Sequence, residues 1–153
     1  MSLKKKFGIF VVGMMLAGVT AVAVPGSASA SAADCAGGAN GFVDIPDTLG
    51  GTDVEDVRIG NHWLYLNFGT VSGATRGWAL LFEGSFEPLQ TNASVWLDWS
   101  QDGGKTWIQC GPFSNSKGKA SITSAAKKTS SSPYWIFRAG ALVNGEMQLS
   151  HWH

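Results

Sequence analysis

The chain is poor in cysteine, in charge and in helix signals, and each shortage removes a class of protein. Two cysteines in 153 residues, at positions 35 and 110, stand too far apart in sequence to begin a zinc site, and three histidines add few further ligands. Charged residues make up 14 % of the chain, well below the usual quarter. The G-x-S-x-G of a nucleophile elbow does not occur, and His62, His151 and His153 sit in no comparable setting, so a Ser-His hydrolase has no anchor. Beyond residue 33 no stretch keeps a 3.6-residue apolar period over three turns, which excludes a helical bundle. There is no internal repeat, and the length excludes a full propeller.

One long apolar run exists. Phe7 to Val24 carries no charge, follows Lys4-Lys5-Lys6 and precedes a stretch of small residues from Pro25 to Ala33. This order predicts a secretory signal peptide over residues 1–30, with Ala28-Ser29-Ala30 as the cleavage motif and position 32 as the latest alternative. An uncleaved N-terminal anchor is the competing reading. The short lysine-led leader has the bacterial form, and Asn92-Ala93-Ser94 is accordingly read as a chance sequon. Residues 31–153 are then a single secreted domain with no membrane association after cleavage, and enough chain for one core.

The leader removes three of the eleven cations, leaving eight basic residues against eleven acidic ones. This mild acidity argues against nucleic acid as a partner. The charges are segregated, with six acids between Asp34 and Asp56 and six cations but no carboxylate between Lys105 and Arg138. An exported chain meets an oxidising environment, so Cys35 and Cys110 are expected to pair.

What is abundant is aromatic surface and β alternation. Short alternating runs recur between Gly, Asn, Asp, Ser and Pro clusters: Phe42 to Ile45, Val54 to Ile59, His62 to Phe68, Gly77 to Glu83, Ser94 to Ser100, Thr106 to Gly111 and Tyr134 to Ala139. Asn144-Gly145 between Ala141-Leu142-Val143 and Met147-Gln148-Leu149 predicts a type I′ hairpin. Residues 114–133, rich in Ser, Lys, Thr and Gly, are expected to form a long loop with a short strand near Ser121 to Ser124 and no share in the core. Together these predict an all-β, single-domain antiparallel β-sandwich of about seven or eight strands, with a small closed barrel as the alternative.

Residues 100–107 read Ser-Gln-Asp-Gly-Gly-Lys-Thr-Trp, a hairpin tip. Asp102 can accept from nearby backbone N–H groups, Gly103 and Gly104 supply positive φ, and Ser100 and Thr106 add short-range hydroxyl bonds. The octapeptide resembles the Asp-box of bacterial sialidases and other secreted β proteins, S-x-D-x-G-x-T-W, at Ser100, Asp102, Gly104, Thr106 and Trp107. The resemblance implies a structural hairpin remote from any catalytic centre, with Trp107 anchored in a core.

Seven tryptophans sort by alternation. Trp78 and Trp99 fall with aliphatic neighbours and are read as core, as is Trp135 beside Phe137. Trp63, Tyr65, Trp96 and Trp152 fall on faces shared with Asn67, Asp98 and Gln148, a pattern that points to an outward aromatic platform for sugar rings or a protein partner. The leading expectation is a non-enzymatic carbohydrate-binding module, with polysaccharide as partner and no cofactor, metal or catalytic residue. A secreted interaction module using the 114–133 loop is the alternative. A small hydrolase is third, built on Asp98 with Glu83 or on His62, Glu83 and Arg76. His151 and His153, on one side of a strand, are too few for a metal site.

Overall fold

The computed structural model describes residues 30–153; the predicted leader, apart from its last residue Ala30, lies outside them. Among the described residues there are eleven strands: β1 (Ala30–Ser31), β2 (Phe42–Val43), β3 (Thr52–Ile59), β4 (His62–Val71), β5 (Ala74–Glu83), β6 (Ser94–Ser100), β7 (Ile108–Ser114), β8 (Ser121–Thr123), β9 (Ala126–Lys128), β10 (Ile136–Val143) and β11 (Glu146–Leu149). They form two sheets, one of five strands ordered β1-β7-β6-β10-β11 and one of six ordered β2-β9-β5-β4-β3 with β8 also on β5. All pairings are antiparallel except β1 with β7. The fold is the predicted all-β sandwich, with neither sheet closed into a barrel.

Alternation builds the core. Leu64, Leu66, Ala79 and Leu81 point inward from the six-stranded sheet and meet Val95, Leu97, Trp99, Phe137, Ala139 and Ala141 from the five-stranded one. Phe68 meets Phe137 edge to face across the layers, ring centroids 5.5 Å apart. The Cys35–Cys110 disulfide is formed and closes a loop with a sequence separation of 75. In the chain-entropy account such a loop is worth about 4.5 kcal/mol, and it fixes the segment before β2 to β7.

Turn chemistry fixes the register. Asn144 (φ 54°) and Gly145 (φ 82°) are both left-handed, as the predicted type I′ hairpin requires. Ser72 (φ 50°) and Gly73 (φ 74°) make a second two-residue turn, so β4 and β5 run longer than their alternation suggests.

Three expectations change. The 114–133 segment holds the expected short strand, β8, but also β9; both pair with β5, and Ile122 and Ala125 enter the core, while residues 116–119 stay exposed. Trp78 is buried, but it pairs across β4 with Asn67 while its neighbour Ala79 takes the core side opposite Leu66, so its ring covers the outside of the sheet. Trp135 is half-buried and packs on Trp99, ring centroids 5.0 Å apart.

Candidate functional site: the outer face of the six-stranded sheet

The Ser72-Gly73 turn pairs Trp63 with Phe82 and Tyr65 with Leu80. Because Leu64 and Leu81 of the intervening row face the core, these four side chains share the outer face. All four are half-buried. Trp63 and Tyr65 lie nearly parallel, with centroids 6.4 Å apart and an interplanar angle of 23°. From β3, Arg58 pairs with Trp63 and lays its guanidinium 5.5 Å from the indole centroid, while its Nε donates to the Gly60 carbonyl at 2.8 Å. Partial burial, then the charges of Asp53 and Asp56, push the Tyr65 hydroxyl above its ordinary pKa, so it stays a neutral donor and acceptor.

Phe86 extends this face. It stands edge-on to Phe82 at 5.1 Å, is 78 % exposed and holds a left-handed φ of 62°. A bulky aromatic rarely adopts that backbone without a local reason. The reason here is Glu83, whose Oε2 accepts from the Ser85 N–H at 2.7 Å, the Ser85 hydroxyl at 2.6 Å and the Glu87 N–H at 3.2 Å. The Phe86 N–H in turn donates to the Glu83 carbonyl at 3.1 Å. The hydrogen bonds from Ser85, opposed by desolvation, hold the Glu83 carboxyl below the ordinary glutamate range. Beside this turn a recess of about 280 Å³ is lined by Arg58, Asn61, Trp63, Glu83, Gly84 and Ser85.

Of the predicted aromatic residues, only Trp63 and Tyr65 come together. Trp96 and Trp152 lie on the five-stranded half of the molecule. Trp96 is 7 % exposed, its ring laid over Gly140, where a Cβ would come within 2.1 Å of Cε2. Trp152 packs on Trp107 with centroids 6.1 Å apart. The Arg138 guanidinium sits 4.5 Å from the Trp152 centroid and 5.4 Å from that of Trp107. Trp107 is therefore half-buried on this outer side and not in the core that the hairpin resemblance implied.

The hairpin tip is held by its own side chains. Asp102 accepts from the Thr106 N–H at 2.9 Å, the Thr106 hydroxyl at 2.7 Å and the Ser100 hydroxyl at 2.8 Å, and Ser100 Oγ accepts from the Gly104 N–H at 2.9 Å. Those bonds, led by Thr106, lower the Asp102 carboxyl to about 2. Gly103 and Gly104 carry φ of 74° and 86°.

The hydrolase constellations do not assemble. Asp98 and Glu83 belong to different sheets. Asp98 is 1 % exposed, and its Oδ2 accepts from Arg138 Nε at 2.9 Å and Nη2 at 2.6 Å. Burial nonetheless raises its pKa. His62 does pair with Glu83, but Arg76 pairs with Gly69 towards the far end of the ladder.

The C-terminal histidines both reach Glu55, His151 Nδ1 to Oε1 at 2.8 Å and His153 Nε2 to Oε2 at 2.7 Å. The two nitrogens engage different oxygens, a hydrogen-bonded clasp between the sheets; among the described residues no group of three or more His, Cys, Asp or Glu is arranged to hold a metal. A further recess, of about 340 Å³, lies at the sandwich edge between the Asp44 to Asp47 turn and residues 113–125. Its Asp47 and Asn115 are occupied in bonding Thr123, Leu89 and Lys119.

Leu80, Phe82 and Phe86 are the site residues that alternation alone missed. Both faces of β5 are apolar, so only pairing outward from a two-residue turn at Ser72-Gly73 would have set Phe82 beside Trp63. Compared with known proteins, the chain matches no family model, no curated protein and no solved structure.

Proposed function

We propose that this chain is a secreted, non-enzymatic binding module that takes a polysaccharide on the outer face of the six-stranded sheet. The observation that carries the reading is the arrangement of Trp63, Tyr65, Phe82 and Phe86: partly open rings on one rigid ladder, with an exposed Phe86 held in a strained backbone by Glu83. Rings fixed in this way stack on the C–H faces of sugars at little entropic cost. Arg58 and the neutral Tyr65 hydroxyl supply polar contacts at the edge. Export follows from the predicted leader and accords with the disulfide; among the described residues no helix is long and apolar enough to cross a membrane.

Three arrangements favour binding over catalysis or protein capture. Asp98 is sealed beneath Arg138, Glu83 is spent on the Phe86 turn, and residues 121–123 and 126–128 of the predicted loop pair with β5 instead of standing free. The test is retention of the mature protein on insoluble cellulose and chitin. Trp63→Ala and Tyr65→Ala should each release it at least tenfold more readily, about 1.4 kcal/mol, with the protein still folded at the assay temperature. Retention equal to wild type removes these rings from the site.

A further inference from the structure

Two residues beyond Tyr65, the same face reaches Asn67, directly opposite Trp78. Asn67 is 0 % exposed and Trp78 is 1 % exposed. Neither Asn67 Oδ1 nor Nδ2 has a hydrogen-bond partner, and Trp78 Nε1 has none either. Three buried polar atoms without partners in one cross-strand pair lower stability, and a leucine at position 67 would avoid the cost on the Asn67 side. What closes over Trp78 is glycine backbone. A Cβ on Gly51 would lie 2.7 Å from Trp78 Cζ2, and one on Gly69 2.9 Å from Cη2. Gly50 and Gly51 are exposed, and they precede Thr52, the first residue of β3 that pairs with β4.

We propose that Asn67 and Trp78 form a polar subsite at the end of the aromatic face, opened when the Gly50–Gly51 crossing lifts from the indole, and that it takes adjacent hydroxyls of a neutral sugar ring. This rests on the glycan-binding reading of Trp63 and Tyr65 and gives it chemical selectivity. The amide presents a donor beside an acceptor, and the indole adds a second donor. Adjacent hydroxyls match that set, whereas a carboxylate or phosphate would call for a cation that the pair does not contain. The crossing is two glycines with no side chain to unpack and no ladder bond to β4 to break, so its displacement exposes the indole edge beside Asn67 at small cost.

The mature protein, Trp63→Ala and Asn67→Leu are compared by thermal melting and by titration with cellohexaose and chitohexaose. Exchange of the indole N–H protons is followed by NMR on the wild type. Asn67→Leu should melt higher than wild type yet bind the hexasaccharide at least tenfold more weakly. The Trp78 indole proton should exchange at least tenfold faster than that of Trp99, which is also buried and unpartnered but lies in the core. An Asn67→Leu protein that melts lower with unchanged affinity would show an amide satisfied by buried water and serving only the fold. That result, or Trp78 exchange as slow as that of Trp99, overturns the subsite and leaves the platform standing. If Trp63→Ala binds both hexasaccharides like wild type, the platform falls while the exchange comparison still decides whether the crossing opens. Failure of the wild type to bind either sugar overturns both.

Discussion

The two outer faces of the sandwich carry similar aromatic residues and end in opposite states. On the five-stranded side, Trp96 lies flat over Gly140, Trp107 and Trp152 flank the Arg138 guanidinium, and Arg138 neutralises Asp98. On the six-stranded side, Trp63, Tyr65, Phe82 and Phe86 make contacts with one another and with Arg58 and stay partly open. An outward register therefore does not make an aromatic ring available. A glycine on the neighbouring strand and an arginine with a buried counter-charge turn one face into a second small core, whereas on the other face the arginine over Trp63 is the exposed Arg58, and Trp63, Tyr65, Phe82 and Phe86 stay partly open.

The comparison breaks most visibly at Gly140. Gly140→Ala places a methyl group 2.1 Å from the Trp96 ring, which must leave its bed. A cost of about 3 kcal/mol is expected, seen as a fall of roughly 10 °C in melting temperature, with retention on the opposite face intact once the protein is folded. A change under 1 kcal/mol would mean that Trp96 is not packed against this strand.

Arg138→Ala comes next, at about 3 kcal/mol near neutral pH, because it leaves Asp98 buried without its cation. Asp98 already titrates above its ordinary value, and loss of the guanidinium raises it further. A carboxyl whose folded pKa is raised favours the fold when protonated, so the deficit of the variant should shrink on acidification and grow as pH rises through the raised pKa. Denaturant melts across that range check the sign; a deficit independent of pH would assign the loss to Trp107 and Trp152 packing alone.

Glu55→Gln is the smallest, about 1 kcal/mol. Desolvation opposes ionisation of Glu55, but hydrogen bonds from His153 and His151 outweigh it and lower the pKa from 4.5. A depressed carboxyl contributes stability above its unfolded pKa and loses it as pH falls through the folded one. Wild type should thus lose more stability on acidification than Glu55→Gln. Since the same tail carries Trp152, the variant should also broaden the Trp152 signals; unchanged spectra would show that Trp107 and Arg138 hold that ring unaided.

Local chemistry made much of this legible. Asn144-Gly145 specifies its hairpin because both residues tolerate positive φ, and the 100–107 octapeptide carries the hydroxyls, carboxylate and glycines that its own turn consumes. The pairing of Cys35 with Cys110 was expected from the predicted leader and a count of two, and the disulfide is formed. The short strand near Ser121 was expected and is β8; the strand at Ala126–Lys128 and the core share of Ile122 and Ala125 were missed, because short runs rich in Ser and Lys have little alternation of their own and become strands where β5 offers them an unpaired edge. Trp78 was misassigned because β5 is apolar on both sides.

By itself the sequence determined the β class, the turns and the disulfide, since each depends on residues close in the chain or on a pairing with no competitor. Which aromatic rings are open was decided only by the tertiary structure. That outcome depends on what the adjacent strand places beside each ring, Gly140 and Arg138 on one sheet and Phe82 and Leu80 on the other, and cross-strand neighbours are fixed by register over distances that local pattern does not encode.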